Sequence, residues 1–354
     1  MNTRPLFVTL RALRAFLLTS AVALLPACGN RTLRVDLVPV QENLSPQTIE
    51  YGDSSLFTSD KIAVISLHGL LTNMKASSLL SNGSNAVSDM RESLDAIARD
   101  PSIKAVLLRI NSPGGTVTAS DMMYKDLLAF KARTHKPVVT VMLDVCASGG
   151  YYVSCASDYR VCYPTTITGS IGVIIETLNL NGTLQKIGAT SEAVKSGPNK
   201  DMGSPFKQIP ATQSGHALDS NDRVLLQGVV DQFYAGFKGI VKASPNHIAD
   251  ADWAMVTDGR VFTGADAARL GLVDEVGTID TAIAKAKELA HIQHAKLIMF
   301  TRHDEAKGSI YASNPGTPQP TMNLFNLNLD LGDLIPRGQS QFLYLWSGFD
   351  MTAK

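Results

Sequence analysis

The sequence predicts an α/β fold, on three observations. Short apolar runs rich in β-branched residues recur at Lys61–Leu67, Ala105–Ile110 and Val138–Leu143. The second run has almost no polar alternation, which is how a strand reads when a parallel sheet buries both its faces. Between the runs lie segments with helical spacing, so strand and helix alternate at short intervals, as βαβ units require.

Taken in order, Lys61–Leu67 is the first core strand, followed by a turn at His68-Gly69 and a Ser- and Asn-rich loop over 70–85. Val87, Met90, Leu94 and Ile97 recur at spacings of three and four, the pattern of an amphipathic helix, which Asp100-Pro101 ends. The Ala105 strand runs into Asn111-Ser112-Pro113-Gly114-Gly115. Ser120 is the expected N-cap of the next helix, with Asp121 in its first turn. Leu127, Leu128 and Phe130 supply part of its apolar surface, and His135-Lys136-Pro137 ends it. The Val138 strand follows.

Beyond residue 156 the pattern predicts a strand at Tyr159–Tyr163, a helix at Thr177–Gly188 and a strand at Ser191–Val194. Lys195–Pro205 is a loop dense in turn residues with two lysines, Lys195 and Lys200. A long helix over Asn221–Ala243 carries Val229, Phe233, Phe237 and Ile240 on its apolar side. A short strand and turn at Gly259–Gly264, a helix at Ala265–Leu270 and another at Ile279–Ala290 complete the core. Residues 304–322 read as flexible, and the apolar stretch Gln341–Trp346 should dock somewhere.

The chain has 354 residues, enough for one large domain or two small ones. With 45% apolar and 18% charged residues it can bury a sizeable core. Lys+Arg and Asp+Glu both number 32. That balance offers no basic surface for nucleic acid and no reason to expect disorder.

The N-terminus reads separately. Arg4, Arg11 and Arg14 precede an apolar run, Ala15–Leu25, too short to span a bilayer comfortably. Leu25-Pro26-Ala27-Cys28-Gly29 closes it. This is an export signal, and its ending resembles a lipobox, in which signal peptidase II cleaves before the cysteine and Cys28 carries lipid. Pro26 is uncommon there, and an ordinary signal or uncleaved anchor is the alternative. The expected organisation is a signal over 1–27 and a linker over 28–58. Of the remaining cysteines, Cys155 and Cys162 sit in apolar sequence and read as buried thiols. No Cys/His cluster has metal-ligand spacing, so neither a metal nor a cofactor is expected.

The stretch Asp144-Val145-Cys146-Ala147-Ser148-Gly149-Gly150-Tyr151-Tyr152 organises the rest. It links a buried strand to the start of a helix. Two glycines let the backbone turn sharply and a substrate approach, and the helix N-terminus suits a developing oxyanion. On this segment alone, nucleophile and plain Gly-rich turn are equal readings. A nucleophilic serine needs a base. The seven histidines read as surface or loop residues, with His68 the one in a Gly-containing turn. A lysine serves instead when burial lowers its pKa from about 10.4 toward neutrality.

Here the motifs resemble a known family. Asn111–Gly115 (NSPGG), Ala147–Tyr152 (ASGGYY), Thr168–Val173 (TGSIGV), Lys200–Pro205 (KDMGSP) and Gly264–Gly277 are similar, in order and spacing, to those of the signal peptide peptidase A (protease IV) family. The resemblance runs from about Lys61 to Ala290, and the length fits the short form with one catalytic repeat. It implies a Clp protease/crotonase-like spiral of βαβ units, a catalytic domain over 59–300 and a partly flexible extension over 301–354. It implies Ser148 as nucleophile, Lys200 as general base and Ser170 as the hydroxyl that orients the lysine. Gly115 and Gly149 are the choices for the oxyanion hole. Lys195 is the rival base. Arg109 and Asn111 read as structural. Cys146 departs from the small residue more usual two positions before the serine, so its thiol is a rival nucleophile. The activity implied is endopeptidase cleavage of signal peptides and similar apolar peptides at a bacterial envelope membrane. The partner implied is a second copy, in a ring-like homo-oligomer whose Lys200 reaches a neighbour's Ser148. The alternatives are an acyl-CoA-processing enzyme on the same spiral fold and a catalytically silent envelope scaffold.

Overall fold

A computed structural model describes residues 45–49, 58–74, 85–213, 215–301, 310 and 343–345, which all lie in one compact unit, Gln41–Lys354. The signal segment and Cys28 lie outside the described residues. In chain order the elements are β1 (Ser45–Ile49), β2 (Lys61–His68), α1 (Ala86–Arg99), β3 (Ile103–Ser112), β4 (Gly114–Thr116), α2 (Val117–Thr134), β5 (Val138–Ala147), α3 (Gly149–Ser154), β6 (Tyr159–Cys162) and β7 (Ile167–Gly169). There follow α4 (Asn181–Lys186), α5 (Ser220–Ala243), α6 (Trp253–Val256), β8 (Val261–Thr263), α7 (Gly264–Arg269), β9 (Glu275–Val276), α8 (Ile279–Leu289), β10 (Lys296–Thr301) and β11 (Leu343–Leu345).

The main sheet has the order β1-β10-β2-β3-β5-β6-β9, with β7 and β8 branching from β5. All neighbours from β10 to β9 pair in parallel; only β1 and β8 are antiparallel. Both faces of the sheet are covered, which is why β3 and β5 read as unbroken apolar runs. Ile65, Leu67, Leu108 and Ile110 face a core shared with α1, α2 and α3. Ile62, Val64, Leu107 and Val141 face the other way, onto Ile279, Ala282, Ile283 and Ala286 of α8.

Helix α1 forms as its spacing predicts, burying Val87, Met90, Leu94 and Ile97; Asn85 caps it by accepting from the Ser88 N–H at 3.0 Å. Helix α2 begins earlier than its sequence suggests. Its N-cap is Thr116, which accepts from the Ala119 N–H at 3.3 Å, while Ser120 lies one turn inside and donates to the Thr116 carbonyl at 3.1 Å. The expected helix over 177–188 shrinks to α4. The Asn179 carboxamide accepts from the Asn181 N–H at 3.1 Å, and the Asn181 side chain donates to the Phe206 carbonyl at 3.0 Å, so side chains divert the backbone from a longer helix. Ser191–Val194 forms no strand; it is exposed and pairs with none of the described strands. At the ends, Ser45–Ile49, within the expected linker, is an edge strand on β10, and Leu343–Leu345 pairs with β4.

Candidate active site

Strand β5 surfaces at Asp144, is buried again over its last three residues and pairs there on both sides, Cys146 with Ser112 and Ala147 with Gly169. The chain then has to leave the sheet within one residue. Ser148 does this with φ 52° and ψ −113°, a conformation that strains a residue with a side chain. Such a residue costs about 1–3 kcal/mol and persists only where its surroundings over-determine it. Here they do. The Ser148 N–H donates to the Gly169 carbonyl at 2.8 Å, and its own carbonyl accepts from the Tyr152 N–H at 2.8 Å, opening α3. The Asn111 side chain accepts from the Val145 N–H at 3.1 Å and donates to Asp144 at 3.0 Å. The Thr168 hydroxyl donates to the Cys146 carbonyl at 2.6 Å. The Ser148 hydroxyl, by contrast, is buried with no hydrogen-bond partner among the described residues.

Ser170 follows the glycine that receives the Ser148 N–H. It too has φ 52°, and its N–H donates to the Arg260 carbonyl at 2.8 Å. The parallel pairing of β5 and β7 thus delivers two serines side by side from neighbouring strand ends. Gly115 joins them through β4. A methyl group on Gly149 would lie 3.1 Å from the Gly115 nitrogen, and one on Gly114 would lie 2.7 Å from the Gly149 nitrogen. The two glycine backbones named for the oxyanion hole therefore share one corner beside Ser148, and no side chain would fit there.

One edge of β4 is held by Leu71, whose N–H donates to Gly114 at 2.8 Å and whose carbonyl accepts from Thr116 at 2.9 Å. The other edge carries β11, which also exchanges hydrogen bonds with Ile174 through Leu343, at 2.9 and 3.1 Å. The Tyr344 ring stacks on Tyr152 with centroids 5.0 Å apart, meets Phe237 at 4.7 Å, and donates its hydroxyl to the Phe233 carbonyl at 3.0 Å. An extended stretch of the chain's own tail thus lies along the glycine strand.

The lysines separate clearly. Lys195 donates to Asp201 at 2.6 Å and to the Pro198 carbonyl at 3.2 Å. Lys207, which the sequence reading did not single out, sits 2.7 Å from both Asp219 and Asp222. Lys200 is exposed and makes no ion pair or side-chain hydrogen bond among the described residues, and none joins it to Ser148. The structure therefore assembles Ser148, Ser170, Gly115 and Gly149, and no described contact joins Lys200 to them. Cys146 is fully buried, and burial pushes its thiol well above the ordinary range, which disfavours a thiolate there. Cys155 and Cys162 are also buried and free. His68 lines a cavity of about 450 Å³ with Arg109, Asn111 and Asp144; Ser148 is not among the described lining residues. Arg109 is buried and donates to the Ile310 carbonyl, so it and Asn111 hold backbone, as read.

A serine on a strained strand-to-helix turn, beside a second serine and two glycine amides, is an arrangement suited to acyl transfer. Comparison with known proteins agrees. The model of peptidase family S49 matches residues 131–293. A protein of Enterococcus faecium named as a signal peptide peptidase SppA is 31% identical over 321 residues, covering 89% of each chain. A protein of Methanocaldococcus jannaschii named as a protease is 34% identical over 251 residues, 71% of this chain and 72% of that one. Protease 4 of Salmonella typhi is 34% identical over 255 residues, 70% of this chain and 38% of its own length. A solved structure of the 1510-N membrane-bound stomatin-specific protease aligns at 14% identity over 64% of this chain and 84% of that one, with a TM-score of 0.40. The chain belongs to peptidase family S49. It is a serine peptidase, and its fold is α/β, built on a mostly parallel sheet.

Proposed function

We propose that the protein is an endopeptidase with a Ser148/Lys200 dyad that cleaves signal peptides and similar apolar segments at a membrane of the cell envelope. The observation that carries this reading is the mismatch between the halves. Among the described residues, the Ser148 hydroxyl is buried without a hydrogen-bond partner and the exposed Lys200 side chain makes no ion pair or hydrogen bond. A second copy that brings its Lys200 to this Ser148 supplies what each lacks. The exposed apolar side chains Leu178, Ile187 and Val194, in the segments leading to the lysine loop, fit a surface covered by that copy.

An amine enclosed at such an interface loses water, which favours its neutral form. The neutral amine of Lys200 takes the proton from Ser148 Oγ as the oxygen bonds to the scissile carbonyl carbon. Ser170 donates a hydrogen bond that orients the amine. The oxyanion forms against the Gly115 and Gly149 amides, and removing one such donor costs about 3 kcal/mol in the transition state. The C–N bond breaks, the leaving amine takes the proton from the lysine ammonium, and an ester to Ser148 remains. Lys200 then deprotonates water, which attacks the ester and releases the acid and free serine. The peptide lies extended on β4, along the edge where β11 sits, so backbone pairing supplies affinity.

No helix among the described residues is long and apolar enough to cross a membrane. In this reading the anchor is lipid on Cys28 and the catalytic domain stands outside the cytoplasm. A fluorophosphonate probe tests the reading. Wild-type protein should label and Ser148→Ala should not, with Lys200→Ala labelling far more slowly. A folded, oligomeric wild type that neither labels nor cleaves would leave the scaffold reading.

A further inference from the structure

The loop around Lys200 has little regular structure, yet it is tied down at several points, and the ties converge on one largely enclosed cation. Lys207 Nζ lies 2.7 Å from Asp219 Oδ2, 2.7 Å from Asp222 Oδ1 and 3.9 Å from Asp201 Oδ1, with its side chain only 14% exposed. Asp222 is fully buried in the first turn of α5, and its second oxygen accepts from the Gly203 N–H at 3.2 Å. Asp219 caps the same helix by accepting from the Asp222 N–H at 2.8 Å. Asp201, next to Lys200, is held from its other side by Lys195 at 2.6 Å. Asn199, on the other flank, accepts from the Asn221 side chain at 2.9 Å.

Both neighbours of Lys200 are thus fastened to other parts of the loop or to the start of α5, and Lys200 itself is left projecting. Burial alone would lower the Lys207 amine, but its hydrogen bonds to Asp219 and Asp222 outweigh that effect and hold it as an ammonium. Removing the Lys207 charge would leave the fully buried Asp222 carboxylate without its cation, which is destabilising. The placement of this pair matters because a dyad requires a near-attack geometry that a flexible loop would not hold.

We infer that Lys207, with Asp219 and Asp222, is a positioning residue for Lys200: the cluster fixes the turn over 199–203 on the N-terminus of α5 so that the Lys200 amine is presented to a second copy. This rests on the dyad proposed above. Lys207→Met should lower kcat about 10²-fold, the scale expected for a misplacement near 1 Å, with KM nearly unchanged. Lys207→Arg should recover most of that loss, because a guanidinium can bridge two carboxylates. Asn221→Ala, a milder cut on the same loop, should show a smaller kcat loss with the protein folded.

Co-expressed pairs of full-length chains give the decisive readout. A Lys200→Ala chain with a Ser148→Ala chain should regain activity, because intact serine and intact lysine meet between copies. A Lys207→Met chain with a Ser148→Ala chain should regain activity equally, since the damaged loop then serves no competent serine. A Lys207→Met chain with a Lys200→Ala chain should regain none. Recovery in the first pair but not the second would overturn the positioning role and leave the shared dyad standing. No recovery in the first pair would overturn the shared dyad itself. Wild-type kcat in Lys207→Met alone would overturn the positioning role whatever the pairs show.

Discussion

The Ser148 corner and the Lys200 loop are built in opposite ways. At the corner, backbone does the holding: parallel strand pairing, a strained turn closed by two backbone hydrogen bonds, and glycines packed where no side chain fits. In the loop, side-chain charges do the holding, through Lys195, Lys207, Asp201, Asp219 and Asp222. One half is part of the core, complete within the chain. The other is a surface feature fastened to a helix terminus and offered outward. The contrast teaches that the Ser148 corner should be insensitive to pH and salt where the Lys200 loop should not be, because paired carboxylates can be titrated and backbone ladders cannot.

The largest effect should come from breaking the corner. Gly149→Ala places a methyl group against the Ser120 hydroxyl, 3.0 Å from the Tyr344 carbonyl and 3.1 Å from the Gly115 nitrogen. Peptide-hydrolysis kinetics should show kcat falling by about 10²–10³, the scale of a lost oxyanion donor. Next in size is the tail. Removing residues 341–354 strips β11 from β4 and empties the aromatic site that Tyr344 fills. Peptide kcat/KM should rise several-fold, chiefly through KM; an unchanged KM would mean substrate does not use that edge.

Acid sharpens the comparison with a smaller effect. Asp201 is held below the ordinary carboxylate range by its Lys195 hydrogen bond, and Asp219 by the Asp222 N–H and then by Lys207. Carboxylates lowered on folding contribute stability that is present above their unfolded pKa, about 3.9, and is lost as pH falls through the folded value. Amide hydrogen exchange over 195–207 should therefore accelerate below about pH 4, while amides of β5 and α3 stay protected. Equal acceleration in both regions would erase the distinction. The smallest effect belongs to Lys195→Met, which cuts one tie to Asp201 and leaves Lys207 in place; it should cost less than about tenfold in kcat, consistent with a partly exposed ion pair.

The same contrast explains what the sequence revealed. Strands β2, β3 and β5, helix α1 and the Ser148 turn were legible because apolar period, glycines and caps act within a few residues. The true start of α2 was not. Thr116 is drawn into β4 by pairing with Leu71 and Leu343, partners 45 and 227 residues away (116 − 71; 343 − 116), and Ser120 carried the stronger local signal. Asn179 and Asn181 gave up a longer helix to bind backbone near residue 206, again through non-local contacts. Gln341–Trp346 was plainly apolar, but nothing in it says that Leu343–Leu345 will lie on the glycine strand. Lys207 escaped notice because its meaning depends on Asp219 and Asp222, 12 and 15 residues on (219 − 207; 222 − 207). The one available signal was the clustering of Lys195, Asp201, Lys207 and Asp219 ahead of a long helix, with Asp222 in its first turn.

The most direct test of the central claim is hydrolysis of a signal-peptide-like substrate by the full chain, wild type beside Ser148→Ala, Lys200→Ala and Lys195→Ala. The dyad predicts that activity disappears with either of the first two variants and survives in the third. Full activity in Lys200→Ala would contradict it and return the search for the base to Lys195 or a histidine.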